Sequence, residues 1–245
     1  MAEPVFEGVG VALVSLFDGD DRLLVSETVE HAASLVERGV AAVAVAGTTG
    51  EPWRLEDEDR VALVEACRAS LSEDVAVIAG TGHSDPAQAR DLTERCSAAG
   101  ADAVLVLSPA DAQTTPTFYE QIAQAAAGIS VLAYHFPAFA PPGIGMDELN
   151  NLPVAGIKDS SADADRLVIE VDACDYAVYT GSANLLSLAG GVGAAGAIVA
   201  MANAEPEKCV KAFGGDLTVQ AELASLHLAS INGFPQGLKV LAGLA

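Results

Sequence analysis

Residues 101–109, Ala-Asp-Ala-Val-Leu-Val-Leu-Ser-Pro, place five apolar side chains in a row with no polar alternation. A strand with one wet face alternates. A short uninterrupted run is the pattern of a parallel strand covered on both faces. Seven further runs repeat it, at Gly10–Phe17, Ala41–Gly47, Val75–Gly82, Ser130–Phe136, Val154–Lys158, Tyr176–Gly181 and Gly196–Met201. The segments between them read as helices. Within Ser26–Arg38 the side chains of Val29, Ala32, Ala33 and Val36 form one stripe, and Gly39 supplies a stop. Asp85-Pro86 and Thr115-Pro116 carry the signal of a helix N-cap followed by proline. Eight such units without a linker predict an α/β protein with one closed (β/α)8 TIM barrel over about residues 6–204. Glu205-Pro206 then opens a helical segment to 245, read as extra C-terminal helices of the same single domain, 1–245. An open doubly wound sheet is the alternative. It is disfavoured because no GxGxxG follows the first run and no acidic residue closes the second.

Composition narrows the function classes. The chain is 51% hydrophobic but only 5% aromatic, with alanine prominent, which suits close packing of helices on a sheet. No uninterrupted apolar stretch reaches the ~18 residues of a membrane span, since Leu185–Ala204 is diluted by glycines and polar residues. Met1-Ala2-Glu3-Pro4 lacks the basic and apolar regions of a leader, so a cytoplasmic location and no membrane partner are expected. Thirty-four acidic residues against 12 basic ones give a net charge of -22. A phosphate backbone needs a basic face, so nucleic acid is excluded as a partner. Self-repulsion on this scale opposes compaction unless salt screens it, which predicts a halophilic protein in a salt-rich cytosol; an ordinary acidic enzyme is the alternative. Cys67, Cys96, Cys174 and Cys209 stand alone, without a CxxC or zinc spacing, and read as buried apolar filler. No metal site is expected.

In a barrel the chemistry lies where the strands end. Lys158 closes the sixth run, directly after Gly156-Ile157, whereas Lys208, Lys211 and Lys239 fall on helical segments where a solvated charge is unremarkable. A lysine at the barrel mouth is desolvated, which lowers its pKa and frees a neutral amine for attack on a ketone. A buried ion pair with Asp159 or another carboxylate is the other reading. Tyr134 closes the neighbouring run, and adjacent strands lie ~4.8 Å apart. Its phenol can relay protons at that amine, or it can be a core tyrosine bonded to backbone. Gly47-Thr48-Thr49-Gly50 offers hydroxyls and backbone N–H groups that can cradle a carboxylate. Equally, it can be a plain strand-to-helix turn capped by Thr49 or Glu51. Ser160-Ser161-Ala162-Asp163 reads as the N-cap and first-turn acid of the next helix.

These residues, taken together and in order, resemble the dihydrodipicolinate synthase/N-acetylneuraminate lyase family of class I aldolases. The resemblance rests on Gly47-Thr48-Thr49-Gly50-Glu51, on Tyr134 with Pro137, and on Gly156-Ile157-Lys158-Asp159-Ser160-Ser161. Gly181-Ser182 and Gly193–Ile198 add to it, over about residues 6–206. It implies a Schiff base on Lys158, proton relay by Tyr134, and a keto-acid carboxylate held by Thr48 and Thr49. Gly47, Gly181 and Ser182 would complete the substrate site, with no cofactor. The expected partners are a 2-keto acid, pyruvate above all, and an aldehyde. A homo-oligomer, a tetramer in the family's usual form, is also implied. The sequence departs from the family's pattern in several places. Its synthases carry an arginine two residues past the proline, where this chain has Phe139 within Ala138-Phe139-Ala140, and an apolar side chain cannot grip a carboxylate bidentately. Ala110 and Asp111 follow Pro109 where tyrosines are common. Ala183 replaces a frequent acid, Ser15-Leu16-Phe17 replaces Thr-Pro-Phe, and the C-terminal helices are shorter than the family norm. The expectation is a carbon–carbon lyase acting on a 2-keto-3-deoxy sugar acid such as 2-keto-3-deoxygluconate or its 6-phosphate. A sugar-acid dehydratase, dihydrodipicolinate synthase, N-acetylneuraminate lyase and a non-catalytic keto-acid-binding regulator are the alternatives. Arg54 is the arginine expected nearest a site loop.

Overall fold

A computed structural model describes residues 3–109 and 115–244. Its eight strands are β1 (Gly8–Ala12), β2 (Ala42–Val45), β3 (Ala76–Gly80), β4 (Ala103–Leu107), β5 (Ser130–His135), β6 (Gly156–Asp159), β7 (Ala177–Thr180) and β8 (Gly196–Val199). They close in chain order into a parallel barrel, β8 pairing with β1 through Gly10 and Ile198. The helices between them are α1 (Val25–Glu37), α2 (Asp57–Ser70), α3 (Pro86–Ala98), α4 (Thr115–Ala125), α5 (Met146–Leu149), α6 (Ala164–Ala173) and α7 (Leu186–Val192). The chain then forms α8 (Pro206–Phe213), α9 (Leu217–Ile231) and α10 (Gln236–Leu241). The barrel and the extra C-terminal helices are those expected. The first strand is displaced, occupying 8–12 rather than 10–17. Residues 13–17 run on over the barrel mouth, where Phe17 bridges to Leu23.

Parity along each strand sorts side chains into two cores. Val43 and Val45 of β2, Val104 and Val106 of β4, and Ile157 of β6 face the helices. Ala42, Ala44, Ala76, Ala103 and Ala177 face inward with Ile78, Leu105, Leu132 and Tyr179. Small residues are needed inside because eight strands leave room for only a few large side chains. Gly156 marks the limit, since a Cβ there would lie 2.7 Å from the Ala177 carbonyl oxygen. The helix signals hold at α3 and after α1, whereas Thr115, read as a cap, is the first residue of α4 itself. Asp85 accepts from the Ala87 N–H and caps α3 ahead of Pro86, and Gly39 takes φ +97° after α1. All four cysteines are buried and free, with burial pushing Cys67 and Cys96 up to about 12. No helix among the described residues is long and apolar enough to cross a membrane.

Candidate active site

Barrel parity turns Lys158 inward and Asp159 outward. Lys158 stands in register with Tyr134 of β5 on one side and Tyr179 of β7 on the other. It is 5% exposed, and its Nζ lies 4.2 Å from the centre of the Tyr134 ring. No carboxylate oxygen of the described residues lies within 4.0 Å of that amine. The ion-pair alternative with Asp159 therefore fails on geometry. Asp159 instead accepts from the Ser161 N–H at 2.6 Å and its hydroxyl at 3.0 Å, and faces Arg166 of α6 at 3.6 Å. The cap of α6 is Asp163, which accepts from Asp165 and Arg166 N–H groups, rather than Ser160.

Tyr134 is buried, and its ring stacks on Phe136 at 5.8 Å. The row continues to Phe139 at 6.0 Å and Trp53 at 6.3 Å, with Phe139 and Trp53 both exposed. Thr48–Gly50 forms a tight 3-10 turn in which Thr49 is buried, held from beneath by the Ser15 hydroxyl on the Gly50 carbonyl at 2.8 Å. Gly47, Thr48 and Tyr134 share the wall of a cavity of about 530 Å³ at the barrel mouth. Lys158, Thr49, Gly181 and Ser182 do not line that wall. Gly181 and Ser182 lie at the end of β7, next to β6, where Gly181 N–H donates to the Asp159 carbonyl at 2.6 Å. The approach there is close, since a Cβ on Gly181 would displace the Ser160 hydroxyl and press on the Asp159 carbonyl at 3.1 Å. The expected relay position at Ala110 and Asp111 lies outside the described residues.

Behind the strands is a second set of charges. Burial, reinforced by Arg166, holds His135 down at about 4, so the ring is neutral and its Nδ1 accepts from the Ile144 N–H. Burial pushes Glu170 up to about 8, with Asp159 adding to the shift and Arg166 opposing it. No cluster of three metal-ligating side chains occurs among the described residues.

Three features were not anticipated from sequence. Lys239 is not solvated: it is 8% exposed on α10 and bonded to the buried Glu51 carboxylate. Arg54 is not free for a ligand, since it pairs with Glu51 at 2.9 Å and Asp21 at 2.6 Å. Arg60, 6% exposed, lines the cavity instead. The signal for Arg60 lay in helical spacing: the buried stripe of α2 is Arg60, Leu63, Val64 and Cys67, an i, i+3, i+4, i+7 series that puts an arginine on the inner face. For Lys239 sequence held no signal, because its partner lies on another element; for Arg54 the i, i+3 spacing to Glu51 was a local signal, while Asp21 lies 33 residues away.

A closed barrel that holds a buried lysine beside a tyrosine at the strand ends, with no carboxylate of the described residues against that lysine, is compatible with a Schiff-base-forming lyase. The model of the dihydrodipicolinate synthetase family matches residues 5–237, and the chain belongs to this family. It is 34% identical over 212 residues to an uncharacterized DapA-like lyase of Halobacterium salinarum, covering 83% of this chain and 69% of that protein. It is 29% identical over 238 residues to the 4-hydroxy-tetrahydrodipicolinate synthase of Natronomonas pharaonis, covering 91% and 80%. The crystal structure of dihydrodipicolinate synthase from Aquifex aeolicus superposes with a TM-score of 0.86 at 25% identity, over 94% of this chain and 85% of that one. Members of the family are Schiff-base carbon–carbon lyases, and this protein is an enzyme of that class.

Proposed function

We propose that the protein is a pyruvate-dependent aldolase that makes or cleaves a 2-keto-3-deoxy sugar acid through an imine on Lys158. The observation that carries this reading is the Lys158 amine, buried with no carboxylate partner among the described residues and flanked by Tyr134. An amine held at the strand ends with no carboxylate of the described residues against it is free to meet a keto carbon. The amine attacks the keto carbon of pyruvate. Tyr134 passes protons while the carbinolamine loses water, and Thr48, Thr49 and the Gly47 backbone hold the carboxylate. The protonated imine withdraws electrons, C3 gives up a proton, and the resulting enamine adds to an aldehyde. Water then releases the product and restores the lysine. In reverse, the same steps cleave the keto-deoxy acid. Gly181 and Ser182 shape the β7 side of the site.

Phe139, where the family's synthases carry an arginine, supports a sugar-acid substrate over the dicarboxylic chemistry of dihydrodipicolinate synthase. Leu217, Leu228 and Val240 stand exposed on the C-terminal helices, which supports a homo-oligomer that covers them. The test of the mechanism is borohydride reduction with pyruvate in molar KCl, followed by peptide mass spectrometry. A pyruvyl adduct on Lys158, lost in Lys158→Ala, is the expected result. A folded protein that gains no adduct with pyruvate would overturn the assignment.

A further inference from the structure

The cavity beside Tyr134 contains a charge that the imine chemistry leaves unused. Arg60 is 6% exposed on the inner face of α2. Its Nη2 donates to the Pro52 carbonyl at 2.8 Å and its Nη1 to the Gly82 carbonyl at 3.3 Å. These two bonds hold the guanidinium between the loops that follow β2 and β3. They satisfy two nitrogens but supply no negative charge. The Nε is buried and has no partner among the described residues.

Most other arginines of the chain are neutralised. Arg22, Arg38, Arg54, Arg68, Arg95 and Arg166 each face a carboxylate within 4.0 Å, that of Arg166 being Asp159 at 3.6 Å, and Arg90 is exposed to water. A protein with 34 acidic residues places none of the described ones within that distance of Arg60. Leaving a buried cation unpaired is among the more destabilising arrangements a fold can hold. It is relieved when an anion enters. A second group lies on the same wall: Ser108, 3% exposed at the end of β4, has a buried hydroxyl with no partner among the described residues. Gly82 and Pro52, whose carbonyls orient Arg60, line that cavity too.

We propose that Arg60 and Ser108 bind the anionic end, carboxylate or phosphate, of the aldehyde that the enzyme joins to pyruvate. This rests on the aldolase reading and gives its second substrate a charge. The cavity runs from Tyr134, beside the imine lysine, to Arg60, with Trp53 and Phe139 on its walls. The keto-acid carboxylate sits at the Thr48 turn, so the anion at Arg60 belongs to the far end of the substrate. The β5 loop presents Phe139 to the same cavity, and anion recognition falls instead to α2. A guanidinium already held by two carbonyls loses little further freedom on binding, which favours affinity.

The test compares D-glyceraldehyde, D-glyceraldehyde 3-phosphate and succinic semialdehyde as acceptors for pyruvate, with wild type, Arg60→Gln, Arg60→Lys and Ser108→Ala. Wild type should prefer one of the two anionic aldehydes, which also decides between phosphate and carboxylate. Arg60→Gln should raise KM for that aldehyde by about 10- to 100-fold, the range for a lost charged contact. The loss on D-glyceraldehyde should be at least several-fold smaller, and Arg60→Lys should restore part of the loss on the anionic aldehyde. Ser108→Ala should show a smaller loss of the same kind, which keeps the test open if Arg60 variants fold poorly. Equal losses on all three aldehydes would mean that Arg60 is only a strut between loops and would overturn the proposal, as would no anionic preference in wild type. Calorimetry with glycerol 3-phosphate and 4-hydroxybutyrate, which cannot form an imine, reads the anion site separately. Binding that Arg60→Gln abolishes would establish the site even if no pyruvyl adduct forms on Lys158. An adduct on Lys158 without either anion binding would leave the aldolase reading standing and refute the Arg60 site.

Discussion

Replacing Lys239 by methionine removes one of three partners from a carboxylate that is 3% exposed. Glu51 Oε1 takes the Lys239 ammonium, while Oε2 takes Arg54 Nη1 at 2.9 Å and Gln236 Nε2 at 3.1 Å. Deleting one member of an isolated buried pair costs about 3–5 kcal/mol. Here Arg54 and Gln236 remain on the other oxygen, so the loss is that of one charged hydrogen bond to a buried acceptor, about 1.5–3 kcal/mol. Methionine preserves the apolar stem, so no cavity adds to that figure, and the distant ammonium contact with the Phe17 ring at 5.1 Å is lost with the charge. Urea unfolding at pH 7, followed by Trp53 fluorescence and circular dichroism, measures it. The pH dependence checks the cause. Burial alone would raise the Glu51 pKa, and the Lys239 and Arg54 hydrogen bonds more than reverse this, leaving it below the ordinary 4.5. A depressed acid contributes stability that is full above its unfolded pKa and lost as pH falls through its folded one. The gap between wild type and Lys239→Met should thus be complete at pH 7 and close below about pH 4.5. Since Glu51 follows the Thr48–Gly50 turn directly, the pyruvate concentration that half-saturates imine trapping should also rise. A gap under ~0.5 kcal/mol at pH 7, within the ordinary effect of a surface change, would refute the reasoning. So would a gap that persists undiminished at about pH 3.

Tyr134→Phe should lower turnover by about 10²- to 10⁴-fold, the range for a lost proton-transfer group; an unchanged steady-state rate would remove the phenol from the mechanism. Glu170 keeps its proton in the fold up to about 8, whereas an unfolded carboxyl ionises near 4.5. Its contribution is therefore full below about pH 4.5 and lost as pH rises to about 8. Glu170→Gln should flatten that decline in urea midpoints measured from pH 5 to pH 9, and parallel curves for the two proteins would contradict it. With a net charge of -22, the thermal midpoint should climb between about 0.1 M and about 1 M KCl as the Debye length falls from ~10 Å to ~3 Å. A flat midpoint would count against adaptation to a salt-rich interior.

Periodicity and punctuation carried most of the architecture. The unbroken apolar runs fit strands covered twice, the stripe in α1 and the Asp85-Pro86 cap fit helices between them, and eight such repeats favoured a closed barrel over an open sheet. Lys158 was legible for the same local reason, since a charge that ends an apolar run must sit where the strand emerges. Its freedom from Asp159 also follows from alternation, but only once the strand's inner face is known. The first strand was misplaced because residues 13–17 are as apolar as a strand yet serve to cover the mouth. What the linear order did not contain is which charges meet. Lys239 and Glu51 lie 188 residues apart and are joined only by the way α10 folds back on the barrel. Arg54 is drawn away from the cavity by Asp21 and Glu51, and Arg60 is left in it without a carboxylate. Strands and helices arise from spacings of two to four residues, which a sequence displays. Pairing of buried charges depends on through-space distances of a few ångströms, and only the closed barrel determines those.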